Sequence, residues 1–112
     1  MNQNDPPTEH ILACLSSSPS NAKIVRTAAT MAKAFGGTFT ALYVRTPDSD
    51  QMGKEDCRRL QQHIRMAEQA GADISTIYGD DIPQQIAEFA RISGITKIVL
   101  GRSSVHLSLI HI

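Results

Sequence analysis

Two hydrophobic rhythms alternate along this chain. Ile11-Leu12-Ala13-Cys14-Leu15 is a short continuous apolar run, the pattern of a strand covered on both faces. Thr38 to Val44 is β-branched and aromatic and predicts a second strand; Asp73–Tyr78 and Lys97–Leu100 predict a third and a fourth. Between them the apolar positions take helical spacing. Ala22, Val25, Ala29, Ala32 and Phe35 mark a first helix, stopped by Gly36-Gly37. Lys54 to Ala70 predicts a second, with Cys57, Leu60, Ile64 and Ala67 as its buried stripe and Arg58, Arg59, Gln62 and Arg65 off it. Asp81 caps a third, with Pro83 in its first turn and Gln84 at capping-box spacing. Ile82, Ile86, Phe89 and Ala90 form its core face, and Gly94 ends it. The stretch from Thr46 to Gly53 reads as a loop.

Strands alternating with helices imply right-handed crossovers and an open parallel α/β sheet. In such sheets ligands bind beyond the carboxyl ends of the strands, where the strand order reverses. The first strand ends in Ser16-Ser17-Ser18-Pro19 and opens a helix, with Ser18 or Ser20 as the N-cap. Small hydroxyl residues at a helix N-terminus offer backbone N–H groups, side-chain hydroxyls and the positive end of the helix dipole, which suits an anionic ligand such as a phosphate. The fourth strand halts at Gly101-Arg102-Ser103-Ser104. If the first and fourth strands are neighbours, Ser16–Ser18 and Gly101–Ser103 face one crevice. Gly101 would allow close approach to a ligand, and Arg102 would stand where a phosphate partner is useful.

The ends of the chain fit this pattern less well. Residues 1–9 are polar with two prolines and read as a flexible leader. Residues 105–112 show no helix period, turn chemistry or cap. Leu107 to Ile112 is also the peptide that the mosaic end of a transposon-library adapter encodes in one reading frame. Residues 105–112 are therefore expected to be a non-native tail, with the sheet truncated after its fourth strand and residues 10–104 forming an incomplete domain. The other reading of the tail is a short terminal strand.

Composition narrows the function. A length of 112 residues allows one domain, and 41% apolar residues suffice for a core. Eleven basic residues balance eleven acidic ones and there is no Trp, so neither a nucleic-acid partner nor an anionic membrane surface is favoured. Cys14 and Cys57 lack motif spacing and read as reduced structural thiols. His10, His63, His106 and His111 lack metal-ligand spacing and read as surface residues. Asp80-Asp81 is better explained by turn and cap chemistry than by a metal site. With no Ser/His/Asp arrangement, Cys/His pair or metal cluster, this segment is not expected to be an enzyme or to require a cofactor.

The residues resemble the universal stress protein (UspA-like) family, whose fold is universal stress protein or adenine nucleotide alpha hydrolase-like. They resemble most the universal stress protein domain of Kdp-type potassium-sensing histidine kinases. The run from Ile11 to Ser18 looks like the family's first strand and ligand turn, with Ser16-Ser17-Ser18 where many nucleotide-binding members have Asp-Gly-Ser. Ser16, Ser18, and then after a twenty-residue gap Phe39, Thr40, Ala41 and Tyr43, follow the Ser-x-Ser…Phe-Thr-Ala-x-Tyr pattern of the Kdp-type domain. In that lineage the pattern is associated with cyclic di-AMP. Tyr78-Gly79-Asp80-Asp81 and Lys97 to Ser103 look similar too. Ser104 stands where ATP-binding members have a second glycine, and their later Gly-Ser/Thr element is missing.

The resemblance implies a regulatory, nucleotide-sensing domain of a two-component potassium or osmotic sensor kinase. Its ligand would be cyclic di-AMP or ATP, contacted by Ser16, Ser17, Ser18, Phe39, Thr40, Ala41, Tyr43, Gly101, Arg102 and Ser103. Partners would be the kinase and membrane domains of the parent chain, other universal stress proteins, or a second copy in a homodimer. The location would be the cytoplasmic side of an inner membrane. The competing readings are an interaction module without nucleotide binding and a stand-alone ATP-binding stress protein.

Overall fold

The first apolar run becomes the centre of the sheet. Ile11, Leu12 and Ala13 have 0% exposure, as residues covered on both faces must. The computed structural model describes residues 8–101 and the strand at 107–111. In chain order the elements are β1 (His10–Cys14), α1 (Asn21–Phe35), β2 (Thr38–Arg45), α2 (Lys54–Gln69), β3 (Asp73–Tyr78), α3 (Ile82–Ile92), β4 (Lys97–Gly101) and β5 (Leu107–His111). A short 3-10 turn at Ser49–Gln51 lies in the predicted loop.

The strand order is β3-β2-β1-β4-β5. Strands β1, β2, β3 and β4 are parallel, with Leu12 opposite Thr40 on one side and Ile98 on the other. The expected α/β architecture is thus the observed one. The order reverses between β1 and β4, which is where such a sheet opens a crevice.

Alternation along β1 builds two cores. Ile11, Ala13 and Leu15 pack with Ile24, Val25, Ala28, Ala41, Leu60 and Val99 on the face carrying α1 and α2. Leu12 packs with Leu42, Val44, Ala90, Ile95 and Ile98 on the face carrying α3.

The helix faces differ in detail from the expected stripes. In α1 the buried residues are Asn21, Ile24, Val25, Ala28 and Ala32, and Phe35 is half exposed at 50%. Because α1 is covered by both the sheet and α2, its buried arc is set by two neighbours rather than by one apolar row. The ring of Phe35 instead carries the Lys97 ammonium 4.7 Å from its centre. In α2 the buried positions are Leu60, His63 and Ala67, while Cys57 is exposed.

Glu9, expected to belong to the leader, is anchored. Its carbonyl accepts the Thr38 N–H at 2.9 Å, and its carboxylate accepts from the Thr96 hydroxyl at 2.6 Å and pairs with Lys97 at 2.7 Å. The turn after α1 makes this approach possible. Gly36 adopts φ 63°, and a side chain at Gly37 would meet the Glu9 carbonyl oxygen at 2.2 Å.

A fifth strand follows β4, although the sheet was expected to stop there. β5 pairs antiparallel to β4, with Leu109 opposite Val99. The N–H and C=O groups on the outer edge of β4 need partners, and β-prone residues further along the chain supply them. Among the described residues no helix is long and apolar enough to cross a membrane.

Candidate functional site

The site is built around the turn that leaves β1. The Asn21 side chain, 1% exposed, reaches back from the first position of α1. Its Oδ1 accepts the Ser16 N–H at 3.1 Å and its Nδ2 donates to the Cys14 carbonyl at 2.8 Å. The serines then bond among themselves. Ser16 Oγ accepts the Ser18 N–H at 3.2 Å, and the Ser18 and Ser20 hydroxyls lie 2.9 Å apart. Ser20 occupies the N-cap position of α1 but makes no side-chain cap bond. The hydroxyls therefore shape the turn first, as short polar side chains in loops commonly do.

Helix α2 grips the same turn from outside. His63 Nδ1 lies 2.8 Å from the Ser16 carbonyl oxygen, and Arg59 Nη1 donates to the Ser17 carbonyl at 3.0 Å. A carbonyl only accepts, so His63 carries a proton on Nδ1. Expected at the surface, His63 is instead 4% exposed, because a hydrogen-bonding partner in the turn makes its burial tolerable.

Above the turn lies a cavity of about 870 Å³, a size within the roughly 300–1,000 Å³ of small-molecule sites. Its polar end is formed by Ser16, Ser17, Ser18, Ser20 and Asn21. Leu42, Tyr43 and Val44 of β2, with Ile98, Leu100 and Gly101 of β4, give the sheet side. Ile82, Pro83, Ile86, Ala87 and Arg91 of α3 close the far wall. Asp81 starts that helix as expected, its side chain accepting the Gln84 N–H at 3.2 Å. At the rim Thr46 and Ser49 exchange backbone-to-hydroxyl bonds of 2.9 and 3.1 Å, closing the loop that also brings Met52 to the cavity.

Ser16, Ser17, Ser18, Tyr43 and Gly101 are thus brought together as the adjacency of β1 and β4 requires. The structure does not bring Phe39, Thr40 or Ala41 to the crevice. They sit nearer the other end of β2, where Phe39 and Ala41 are buried in the core and Phe39 borders a separate cavity with Lys33 and Asp73. A strand rises about 3.3 Å per residue, so only the last residues of β2 reach the carboxyl end. Gly101 approaches α1 closely: a side chain there would meet Ile24 Cδ1 at 2.7 Å. Arg102 and Ser103 lie outside the described residues.

Arg91 is a cation that the sequence reading missed. It lines the crevice, stays 70% exposed and pairs with Glu88 at 2.8 Å. Its place in the last turn of α3 carried no signal of a site. Asn21, His63 and Arg59 were missed because their roles depend on which helix lies beside the turn. Cys14 also lines the crevice, and burial pushes its thiol up to about 12, so it stays protonated at neutral pH. Among the described residues no group of three or more His, Cys, Asp or Glu could hold a metal ion.

The profile of the Universal stress protein family matches residues 7–110. The chain is 38% identical over 96 residues to Sensor protein KdpD of Clostridium acetobutylicum, covering 86% of this chain and 10% of that protein. In structure it is similar to a universal stress family protein from Burkholderia pseudomallei, with TM-score 0.67 and 21% identity over 89% of this chain and 87% of the other. It is also similar to a universal stress protein in complex with cAMP, with TM-score 0.63 and 16% identity over 83% and 71%.

Proposed function

This chain belongs to the universal stress protein family, and we propose that it is the nucleotide-sensing domain of a potassium or osmotic sensor histidine kinase of the KdpD type. The observation that carries this reading is the two-ended crevice at the point where the strand order reverses. One end offers the serine hydroxyls and the Ser17 amide beside the start of α1, suited to a phosphate; the other is an apolar wall with Tyr43 at its edge, suited to a purine. The cAMP-bound neighbour supports a nucleotide as the ligand class, and the sequence pattern supports cyclic di-AMP ahead of ATP. Arg91 is the side chain we assign to the phosphates, with Arg102 as its partner from the segment after β4.

Sensing would be a population shift. Ligand favours the arrangement in which turn, β2 end and α3 close on it, and can bias a kinase only by its differential affinity for that arrangement. Location on the cytoplasmic side and attachment to membrane and kinase domains follow from the same reading. The chain spans 10% of the length of the KdpD relative it matches, so these belong to the proposal. Calorimetric titration with cyclic di-AMP and with ATP tests it. Heat of binding that is lost in Ser16→Ala/Ser18→Ala is expected; a folded sample giving no heat with either nucleotide rules sensing out.

One observation favours a second reading. The crevice walls are mostly apolar, and Ile82 remains 44% exposed beside them. A module that docks another universal stress protein would use such a wall, and its capture of that partner would be indifferent to the serine substitutions.

A further inference from the structure

The carbonyls that precede the Ser17 and Ser18 amides both point at α2. The Ser16 carbonyl accepts from His63 at 2.8 Å and the Ser17 carbonyl from Arg59 at 3.0 Å. In a trans peptide the C=O and the following N–H point in opposite directions, and no cis bond occurs among the described residues. Tying the Ser16 carbonyl to α2 therefore turns the Ser17 N–H away from α2. The Ser18 N–H is used within the turn, on Ser16 Oγ at 3.2 Å. The Ser17 N–H has no hydrogen-bond partner among the described residues. Ser17 lines the crevice, whereas His63 and Arg59 do not.

We propose that His63 and Arg59 are positioning residues of the crevice: His63 aims the Ser17 amide at an anionic oxygen of the bound ligand, and Arg59 fixes the following peptide so that Ser17 is held from both sides. The idea deepens the nucleotide reading above and rests on it. The two residues are four apart on one helix and share a face, so α2 presents both donors to consecutive peptide units. Arg59 is steadied by Asp56 at 3.1 Å, and His63 by burial at 4% exposure. Donors on a carbonyl also polarise the peptide and strengthen its N–H as a donor. Neither side chain touches the ligand. Each acts only through the backbone it holds.

The test compares His63→Phe with His63→Asn, and Arg59→Met with Arg59→Gln, in calorimetric titrations with cyclic di-AMP and ATP. His63→Phe and Arg59→Met remove the donor and should weaken binding about tenfold, the order of one hydrogen bond to a charged group. His63→Asn and Arg59→Gln keep a donor and should stay within about threefold of the parent affinity. The Ser17 amide resonance should shift on ligand addition in the parent and the donor-keeping variants only. Unchanged affinity in folded His63→Phe and Arg59→Met overturns the proposal while leaving nucleotide binding intact. Equal losses in Arg59→Gln and Arg59→Met overturn the role of Arg59 as a donor and point to its charge. Should His63→Phe not fold, the partly exposed Arg59 pair decides the matter. A parent protein that binds neither nucleotide removes the crevice reading and this one with it.

Discussion

Asn21 holds Ser16 from across the turn, accepting its N–H at 3.1 Å while donating to the Cys14 carbonyl at 2.8 Å. One buried amide thus satisfies two backbone groups at the end of β1 and joins the strand to the first residue of α1. Asn→Leu here would leave both groups without a partner. A loss of about 2–4 kcal/mol is expected, since each orphaned buried group costs roughly 1–3. Urea unfolding monitored by circular dichroism measures it, and Asn21→Asp should also be destabilised because it cannot donate to the Cys14 carbonyl.

Gly37→Ala places a methyl group 2.2 Å from the Glu9 carbonyl oxygen, which is backbone and cannot swing aside. The Thr38-to-Glu9 bond must lengthen and the entry to β2 must shift. Overpacking of this kind costs about 1–3 kcal/mol. A fall in melting temperature is expected for Gly37→Ala, and a much smaller one for Gly53→Ala, where a side chain meets open space.

The two cysteines should separate by reactivity. Cys57 is exposed, whereas burial pushes the Cys14 thiol from 9.0 to about 12. Because only the thiolate attacks, iodoacetamide at pH 8 should label Cys57 first and Cys14 only after unfolding. Linkage gives a further consequence. A folded-state value above the unfolded one means stability that is complete below pH 9 and is lost as pH rises toward 12. Cys14→Ala should flatten that alkaline loss in thermal melts.

Asp81→Ala removes the side chain that accepts the Gln84 N–H at the start of α3. Stability should fall by about 1 kcal/mol. Since α3 supplies Ile82 and Ile86 to the crevice wall, nucleotide affinity in calorimetry should fall with it, and Asp81→Asn should restore most of both.

Periodicity alone was enough to read four strands, three helices and their order, because burial on one or both faces forces a spacing of apolar residues that no loop imitates. The serine turn and the halt at Gly101 were legible for a related reason: strand ends and helix starts need particular residue types. Phe39, Thr40 and Ala41 show where this stops. Their pattern is visible in the chain, but only the rise of β2 reveals that they fall short of the carboxyl end. His63 and Arg59 show it again: a histidine and an arginine on a charged helix look solvated until the turn they hold is laid beside them.

Local chemistry, then, determined which residues form elements and where each element stops, since capping, turn geometry and side-chain period act over a few positions. The neighbours were decided by the folded chain alone: β4 beside β1, α2 against the serine turn, β5 on the open edge of β4. Those contacts join residues far apart in sequence, and their free energy exists only once the whole sheet has assembled.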